Sequence, residues 1–247
     1  MTGSEQTAVL VTGGNKGLGL EAARRLGKMG WAVFLGSRDE ERGRIAAETL
    51  ADDGVNVVLV PLDVTSDESV ADAVRLVRKH TDRLDVLINN AGAPGKGVPP
   101  ADAVVADVHP VFDTNVYGPI RVTQAFLPLL QVAENPRVVM VSSAGGSFAV
   151  VTDPAQPISK MHELAYSSSK AALNMITVRY AQALPQIKFN VATPGEVANH
   201  KFAATDMNHH TGALTVAEGT DSIIRLATLA ADGPTATFVD RLGPVAW

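Results

Sequence analysis

The chain has no cysteine among its 247 residues. This absence excludes disulfide bonds, thiol nucleophiles and cysteine-ligated zinc sites. Long hydrophobic runs are also missing, since no apolar stretch approaches the ~20 residues that a membrane-spanning helix needs. The opening segment MTGSEQTAVLVTGG lacks the basic flank and apolar core of a signal peptide. We therefore expect a cytoplasmic protein with no membrane partner.

Positive charge is not concentrated anywhere in the sequence. Asp and Glu (26) outnumber Lys and Arg (21), which gives a formal net charge of -5, and no basic block argues for a nucleic-acid partner. The adjacent His209 and His210 lack neighbouring carboxylates at ligand spacing, so no metal site is predicted. Without repeats, low-complexity tracts or linkers, residues 1–247 are predicted to form one domain.

Short apolar runs alternate with longer stretches of helical periodicity. Strands are predicted in AVLVTGG, WAVFLGS, NVVLVPLDV, LDVLINNAG, RVVMVSS and IKFNVATPG. Helices are predicted at 17–29, 39–52, 67–80, about 111–133 and around Tyr166. Continuous Val/Ile/Leu strands are typical of a parallel sheet covered on both faces. The predicted fold class is α/β, a single-domain doubly wound parallel sheet (Rossmann fold) that binds ligands beyond the carboxyl ends of its strands.

The glycine-rich segment TGGNKGLG directly follows the first predicted strand and opens a helix. Glycines let the backbone turn tightly and approach a ligand closely, and the helix N-terminus offers free N–H groups to a pyrophosphate. The strand-turn-helix context therefore predicts a nucleotide site. Its predicted contact residues are Gly13, Asn15, Lys16, Gly17, Leu18 and Gly19.

The end of the second strand, GSRDEERG, indicates which nucleotide is bound. An NAD-selective site places an acidic residue here for the ribose hydroxyls, whereas this chain has Ser37 and Arg38 first, with Lys16 in the glycine turn. Two cations suit the 2'-phosphate of NADP(H). Asp39 is the competing feature, because its carboxylate could face the ribose instead.

A tyrosine and a lysine stand four positions apart in AYSSSK, residues 165–170. On a helix, Tyr166 and Lys170 share one face. A nearby ammonium favours the phenolate, so Lys170 is predicted to lower the pKa of Tyr166 and make it an acid/base. The plain alternative is a surface helix with an ordinary polar face.

Several motifs in order give the chain a family resemblance: TGGNKGLG, LDV (62–64), NNAG (89–92), VSS (141–143), YSSSK (166–170) and PG (194–195). The chain resembles the short-chain dehydrogenase/reductase family over nearly its whole length, and TGGNKGLGLEAARRL with GSRD is most similar to its NADPH-dependent carbonyl reductases. The resemblance implies a catalytic set of Asn115, Ser143, Tyr166 and Lys170. It also implies cofactor contacts by Asp63, Val64, Asn90, Ala91, Gly92, Tyr166, Lys170, Pro194 and Gly195.

The resemblance assigns a role to each member of the catalytic set. Tyr166 would protonate the substrate oxygen while Ser143 holds it, and Lys170 would tune the tyrosine and bind the nicotinamide ribose. Asn115 would hold a water in a proton relay, its alternative being a helix-interior residue that bends the helix locally. Ser142 competes with Ser143 for the serine role.

Two segments depart from the family pattern and are expected to shape the substrate pocket. The first, at 144–165, separates Ser143 from Tyr166 by 23 positions and predicts a pocket wall with Phe148, Val150 and Val151, or else a surface loop. The second, at 196–214, predicts a lid. Asn199 or Thr205 would there replace the threonine that many relatives direct toward the nicotinamide amide.

The predicted function is NADPH-dependent reduction of a ketone or aldehyde carbonyl in a small or cyclic, largely apolar molecule. Two alternatives stay open: another reaction on the same scaffold, such as dehydration or isomerisation, and a non-catalytic NADPH-binding sensor. The sequence leaves the substrate's identity and stereochemistry, the reaction direction and the choice between monomer and homo-oligomer undetermined.

Overall fold

The computed structural model describes residues 6–247, so the start of the segment read for a signal peptide lies outside the described residues. Seven parallel strands form one sheet: β1 Ala8–Val11, β2 Ala32–Ser37, β3 Val57–Pro61, β4 Val86–Asn89, β5 Arg137–Val141, β6 Lys188–Ala192 and β9 Phe238–Val239. Their order across the sheet is β3-β2-β1-β4-β5-β6-β9. A separate antiparallel pair, β7 Gly195–Glu196 and β8 Lys201–Phe202, follows β6.

The central strands β1, β4 and β5 are buried along their full length. Their Val, Leu and Ile side chains alternate between two apolar layers, one on each face of the sheet. Val9 and Val11, for example, face the layer that contains Leu26, whereas Leu10 faces the layer that contains Phe126. This two-sided burial explains why the strands have continuous apolar sequences.

Helices cover both faces of the sheet. Their bounds are α1 Gly17–Lys28, α2 Glu40–Asp52, α3 Asp67–Val77, α4 Val105–Phe112, α5 Gly118–Leu130, α6 Phe148–Thr152, α7 Leu164–Ala183 and α8 Val216–Ala227. Asp39, Ser66 and Thr215 accept hydrogen bonds from backbone N–H groups at the starts of α2, α3 and α8, which satisfies donors that a helix N-terminus leaves free. The predicted doubly wound sheet is confirmed.

The central helix and the last strand are among the features that differ from the sequence prediction. The long helix predicted at about 111–133 starts earlier, at Val105, and is interrupted by one π-helical turn, Asp113–Tyr117, between α4 and α5. The last parallel strand, β9, was not predicted, because two residues are too short to show a periodic pattern. Within residues 6–247, no helix is both long and apolar enough to cross a bilayer.

Candidate active site

The glycine turn is tied to the loop that follows β4. Asn90 donates its side-chain amide to the backbone oxygens of Thr12 and Gly13, at 2.9 and 3.0 Å. The Thr12 hydroxyl oxygen in turn accepts from the backbone N–H groups of Asn90 and Ala91, both at 3.0 Å. Asn90 thus orders the turn. Thr12 was not among the predicted site residues, although it directly precedes the glycines.

The glycines of the turn are required by its geometry. Gly13 and Gly17 have φ values of +59° and +54°, a region that other residues rarely adopt. A Cβ at Gly19 would lie 2.4 Å from the Asn90 amide nitrogen. Gly17 faces open space, and α1 begins there with no side-chain cap and no acidic residue in its first turn. The helix therefore presents uncapped N–H groups, which suits an anionic group.

The candidate ribose contacts at the end of β2, Ser37, Arg38 and Asp39, differ in their partners and exposure. Asp39 accepts a hydrogen bond from the Arg42 backbone N–H at 3.0 Å and pairs with the Arg42 guanidinium at 3.3 Å. Ser37 is fully buried and donates its hydroxyl to the Asp39 carbonyl oxygen, so its side chain stabilises the turn. Arg38 is exposed. The acidic residue is thus engaged at its own helix, while the cation is accessible.

Lys16 forms an ion pair with the 196–214 segment, which was predicted to be a lid. Its ammonium lies 2.6 Å from a carboxylate oxygen of Asp206, whose other oxygen lies 2.8 Å from Nε2 of His210. These contacts lower the pKa of Asp206, with the hydrogen bond from Lys16 as the largest cause. The 196–214 segment therefore contacts the nucleotide turn directly. Because the two residues are 190 positions apart in the sequence, no short motif could predict this contact.

The turn after β3 holds two of the predicted cofactor contacts, Asp63 and Val64. Asp63 accepts hydrogen bonds from the backbone N–H and the hydroxyl of Thr65, at 2.9 and 2.7 Å. Val64 is buried, and a Cβ on Gly118 would come within 2.8 Å of its side chain. The structure therefore brings α5 close behind this turn.

Asn115 lies in the π-helical turn and is fully buried. Its side-chain oxygen accepts from the Ala93 N–H at 2.7 Å, and its amide donates to the Ala93 carbonyl and the Ser169 hydroxyl at 2.9 and 3.0 Å. The π turn is a local distortion between α4 and α5. Asn115 joins the NNAG loop to α7.

The two serines after β5 point in different directions. Ser142 is buried and donates its hydroxyl to the side-chain oxygen of Asn174, at 2.7 Å. Ser143 accepts from the Gly145 N–H at 3.1 Å and also forms a side-chain hydrogen bond with Tyr166. Between the two candidates, Ser143 is the serine that contacts Tyr166.

Tyr166 and Lys170 both lie on α7, as the spacing predicted. The Lys170 ammonium is 5.6 Å from the centre of the Tyr166 ring and donates to the Val141 carbonyl at 2.9 Å. Burial lowers the pKa of Lys170 to about 8. Although the tyrosine ring keeps some exposed surface, desolvation at its hydroxyl raises the pKa of Tyr166 to about 12, against the smaller effect of Ser143.

This direction is opposite to the one predicted from the YSSSK spacing. Lys170 contacts the tyrosine ring while its charge is directed at a backbone oxygen, and burial dominates. The predicted lowering of the Tyr166 pKa by Lys170 is therefore wrong for this arrangement. The tyrosine is fully protonated at neutral pH, as an acid must be.

The PG segment after β6 is held by a polar network. Gly195 has no room for a side chain, since a Cβ would lie 2.7 Å from the Lys201 carbonyl oxygen. The Pro194 carbonyl accepts from the Ala203 N–H at 3.1 Å. Glu196, only 4% exposed, pairs with Arg241 at 2.7 Å. Neither member of this pair was predicted, because they are far apart in sequence.

Both candidates for the nicotinamide amide contact are engaged locally. Asn199 donates to a Glu196 carboxylate oxygen at 2.8 Å. Thr205 directly precedes the short helical turn Asp206–Asn208, and its backbone N–H donates to the Asn208 side-chain oxygen at 2.9 Å. The choice between Asn199 and Thr205 therefore stays open.

The 144–165 segment is folded and anchored. Ser147 donates to the Ala246 carbonyl at 2.7 Å, and the Ala149 N–H donates to the Trp247 carbonyl at 2.9 Å. Of the three predicted wall residues, Val150 is buried and Val151 partly buried, whereas Phe148 is 71% exposed. The segment also reaches the 196–214 segment, where the side chains of Gln156 and His200 lie 3.0 Å apart.

Across residues 6–247, no group of three or more His, Asp or Glu side chains is arranged to hold a metal ion. His210 contacts Asp206, and both His209 and His210 have left-handed backbone angles. The two histidines thus belong to the turn that carries Asp206.

Sequence and structure comparisons agree with this geometry. The profile of the short chain dehydrogenase family matches residues 7–210, and the chain belongs to this family of oxidoreductases. The (+)-neomenthol dehydrogenase of Capsicum annuum is 30% identical, with 94% of this chain and 95% of that protein aligned. The (-)-isopiperitenone reductase of Mentha piperita is 31% identical, with 96% of each chain aligned.

A solved structure similar to this chain is the NADPH-bound carbonyl reductase from chicken fatty liver. It superposes with a TM-score of 0.84 at 28% identity, covering 98% of this chain and 99% of the other. The resemblance to the carbonyl reductase branch, first drawn from TGGNKGLGLEAARRL and GSRD, is thereby confirmed.

Proposed function

We propose that the protein is an NADPH-dependent reductase that converts the carbonyl group of a small or cyclic, largely apolar molecule into an alcohol. The observation that carries the proposal is the convergence of Ser143, Tyr166 and Lys170 at the carboxyl end of β5, beside the glycine turn and Asn115. The relatives support the reaction class, because they include a neomenthol dehydrogenase and an NADPH-bound carbonyl reductase.

Tyr166 is the proton donor to the substrate oxygen. Its pKa of about 12 keeps the phenol protonated at neutral pH, and negative charge developing on the substrate oxygen drives the transfer. Ser143 donates a second hydrogen bond to the same oxygen, which stabilises charge that exists only in the transition state. The Lys170 ammonium supplies positive charge beside the tyrosine, and Asn115 fixes the NNAG loop against α7.

The site fits a nicotinamide nucleotide. When bound, the reduced nicotinamide supplies the hydride. The uncapped start of α1 and the open space at Gly17 would hold the pyrophosphate. Arg38 and Lys16 would meet a 2'-phosphate, while Asp39 is engaged at the start of α2. Two cations near the ribose, together with an acidic residue that is already engaged, favour binding of NADPH over NADH.

The first experiment follows NADPH consumption over a panel of aliphatic, aromatic and polycyclic ketones. Tyr166→Phe is expected to lower kcat at least 100-fold while NADPH binding, followed by fluorescence titration, persists. Tyr180→Phe is the matched control, because Tyr180 lies on the same helix but stacks on Phe189 in the core layer. Turnover that survives in Tyr166→Phe would refute the assigned proton donor, and no turnover of any ketone by the native protein would refute the proposed reaction.

A further inference from the structure

A small cleft beside Tyr166 is lined on one side by the loop of residues 94–98 and on the other by residues 163–166. Tyr166, the proposed proton donor, is one of its lining residues. The loop side contains Gly95 and Gly97, whose φ values are +79° and +65°. Because glycine has no side chain, this side of the cleft has little side-chain bulk. The charged side chains that line the cleft are Lys96, Asp107 and Glu163.

Two of these three charges neutralise each other. Lys96 lies 2.8 Å from a carboxylate oxygen of Asp107, and this hydrogen bond is the largest cause that lowers the pKa of Asp107. Glu163 has no hydrogen bond or ion pair with any residue in the range 6–247. The cleft beside the proton donor therefore carries one uncompensated negative charge.

Glu163 is directed at the cleft rather than at its own helix. It precedes Leu164 at the start of α7, yet its side chain makes no capping hydrogen bond. A Cβ built on Gly97, across the cleft, would lie 3.8 Å from its Oε1. Desolvation is the main cause that raises the pKa of Tyr166, and the Coulomb interaction with Glu163 adds to it in the same direction.

We propose that Glu163 is a specificity-determining residue that makes the cleft prefer ketones bearing a protonated amine over neutral or anionic ketones. The inference rests on the proposed carbonyl reduction and specifies its substrate class: an apolar ring or chain with a cationic nitrogen. The cation would pair with the Glu163 carboxylate while the carbonyl faces Tyr166. Leu164, Ala165 and Val98 line the same cleft, and apolar surface near a charge weakens the screening of that charge by water.

The competing explanation is that Glu163 only stabilises the start of α7 through the helix dipole. That role would make Glu163→Gln less stable to heat but would not change how the enzyme discriminates between substrates. The two explanations therefore separate in a measurement of relative kcat/KM.

The test uses three six-membered cyclic ketones that differ in charge: N-methyl-4-piperidone, 4-methylcyclohexanone and 4-oxocyclohexanecarboxylate, at a pH where the amine is protonated. The native protein should prefer them in that order. Glu163→Gln should lower the ratio of kcat/KM for the cationic over the neutral ketone about tenfold, and raise the relative rate for the anionic one. Glu163→Asp should keep most of the preference, and high salt should weaken it.

The matched control is Glu134→Gln, which removes the same charge from an exposed position. Glu134 precedes β5 and so lies at the amino ends of the strands, whereas Tyr166 lies beyond their carboxyl ends. It should leave the cation preference unchanged. Native protein that reduces all three ketones at similar kcat/KM, or a Glu163→Gln variant with the native ratio, would overturn the inference while leaving the reductase proposal intact. Reduction of none of them, nor of any panel ketone, would instead overturn the reductase proposal.

Discussion

Replacement of Lys170 by methionine should stabilise the fold while it removes activity. Lys170 is 3% exposed, and burial lowers its pKa from an ordinary 10.5 to about 8. A group whose charged form is disfavoured in the folded state opposes folding at every pH at which it is charged. Methionine has a similar length and carries no charge, so Lys170→Met removes this cost.

The magnitude follows from the two pKa values. The difference between 10.5 and about 8 corresponds to about 3 kcal/mol of destabilisation at pH 7, at 1.36 kcal/mol per pH unit. The variant also leaves the Val141 carbonyl without the ammonium donor that lies 2.9 Å away, which costs about 1–2 kcal/mol. We therefore expect Lys170→Met to be about 1–2 kcal/mol more stable than the native protein at pH 7.

The pH dependence of the stability difference between the two proteins is a sharper test than its value at pH 7. Between pH 8 and 10.5 the unfolded chain still binds the lysine proton and the folded chain has released it, so native stability rises with pH. From pH 7 to 9.5 the native protein should gain about 2 kcal/mol relative to Lys170→Met. The assay is denaturant unfolding of both proteins at each pH. The upper limit stays below pH 10, because above it the raised pKa of Tyr166 makes stability fall with pH.

Parallel pH dependences for the two proteins would refute the reasoning, because they would show that Lys170 titrates alike in the folded and unfolded states. A variant less stable than the native protein at pH 7 would show that the hydrogen bond to Val141 outweighs burial of the charge. Loss of turnover is expected in either case.

Two further predictions concern the nucleotide. Arg38→Ala should weaken NADPH binding about tenfold or more without weakening NADH binding; equal loss for both, measured by fluorescence titration, would contradict a 2'-phosphate contact. Asp206→Asn removes the exposed carboxylate that lies 2.6 Å from Lys16 and should tighten NADPH binding about two- to fivefold. NADPH binding that is unchanged or weaker in Asp206→Asn would show that Lys16 does not exchange Asp206 for the phosphate.

The glycine turn could be predicted from the sequence because it depends on local backbone requirements. Gly13, Gly17 and Gly19 stand in one turn, and each is required by a φ value or a close contact within the first βα unit or with the loop after β4. The Tyr166–Lys170 spacing likewise follows from one helical turn. Such constraints act over a few residues, so they appear in the sequence as short motifs.

The sequence did not predict contacts between distant segments. Lys16 with Asp206, Glu196 with Arg241, and the approach of Glu163 to Gly97 all join positions that no short pattern connects. The direction of the Tyr166 pKa also needed the tertiary structure, because desolvation depends on which atoms surround the hydroxyl.

The sequence by itself determined the fold class, the family and the placement of Tyr166 and Lys170 on one helix, since periodicity and motif order are properties of the chain. Only the tertiary structure decided which serine meets Tyr166, where Asp39 and Lys170 direct their charges, and which charge in the cleft has no partner. The physical reason is that hydrogen bonding and desolvation depend on distances in space, and the folded arrangement of β5, α7 and the loops around them sets these distances.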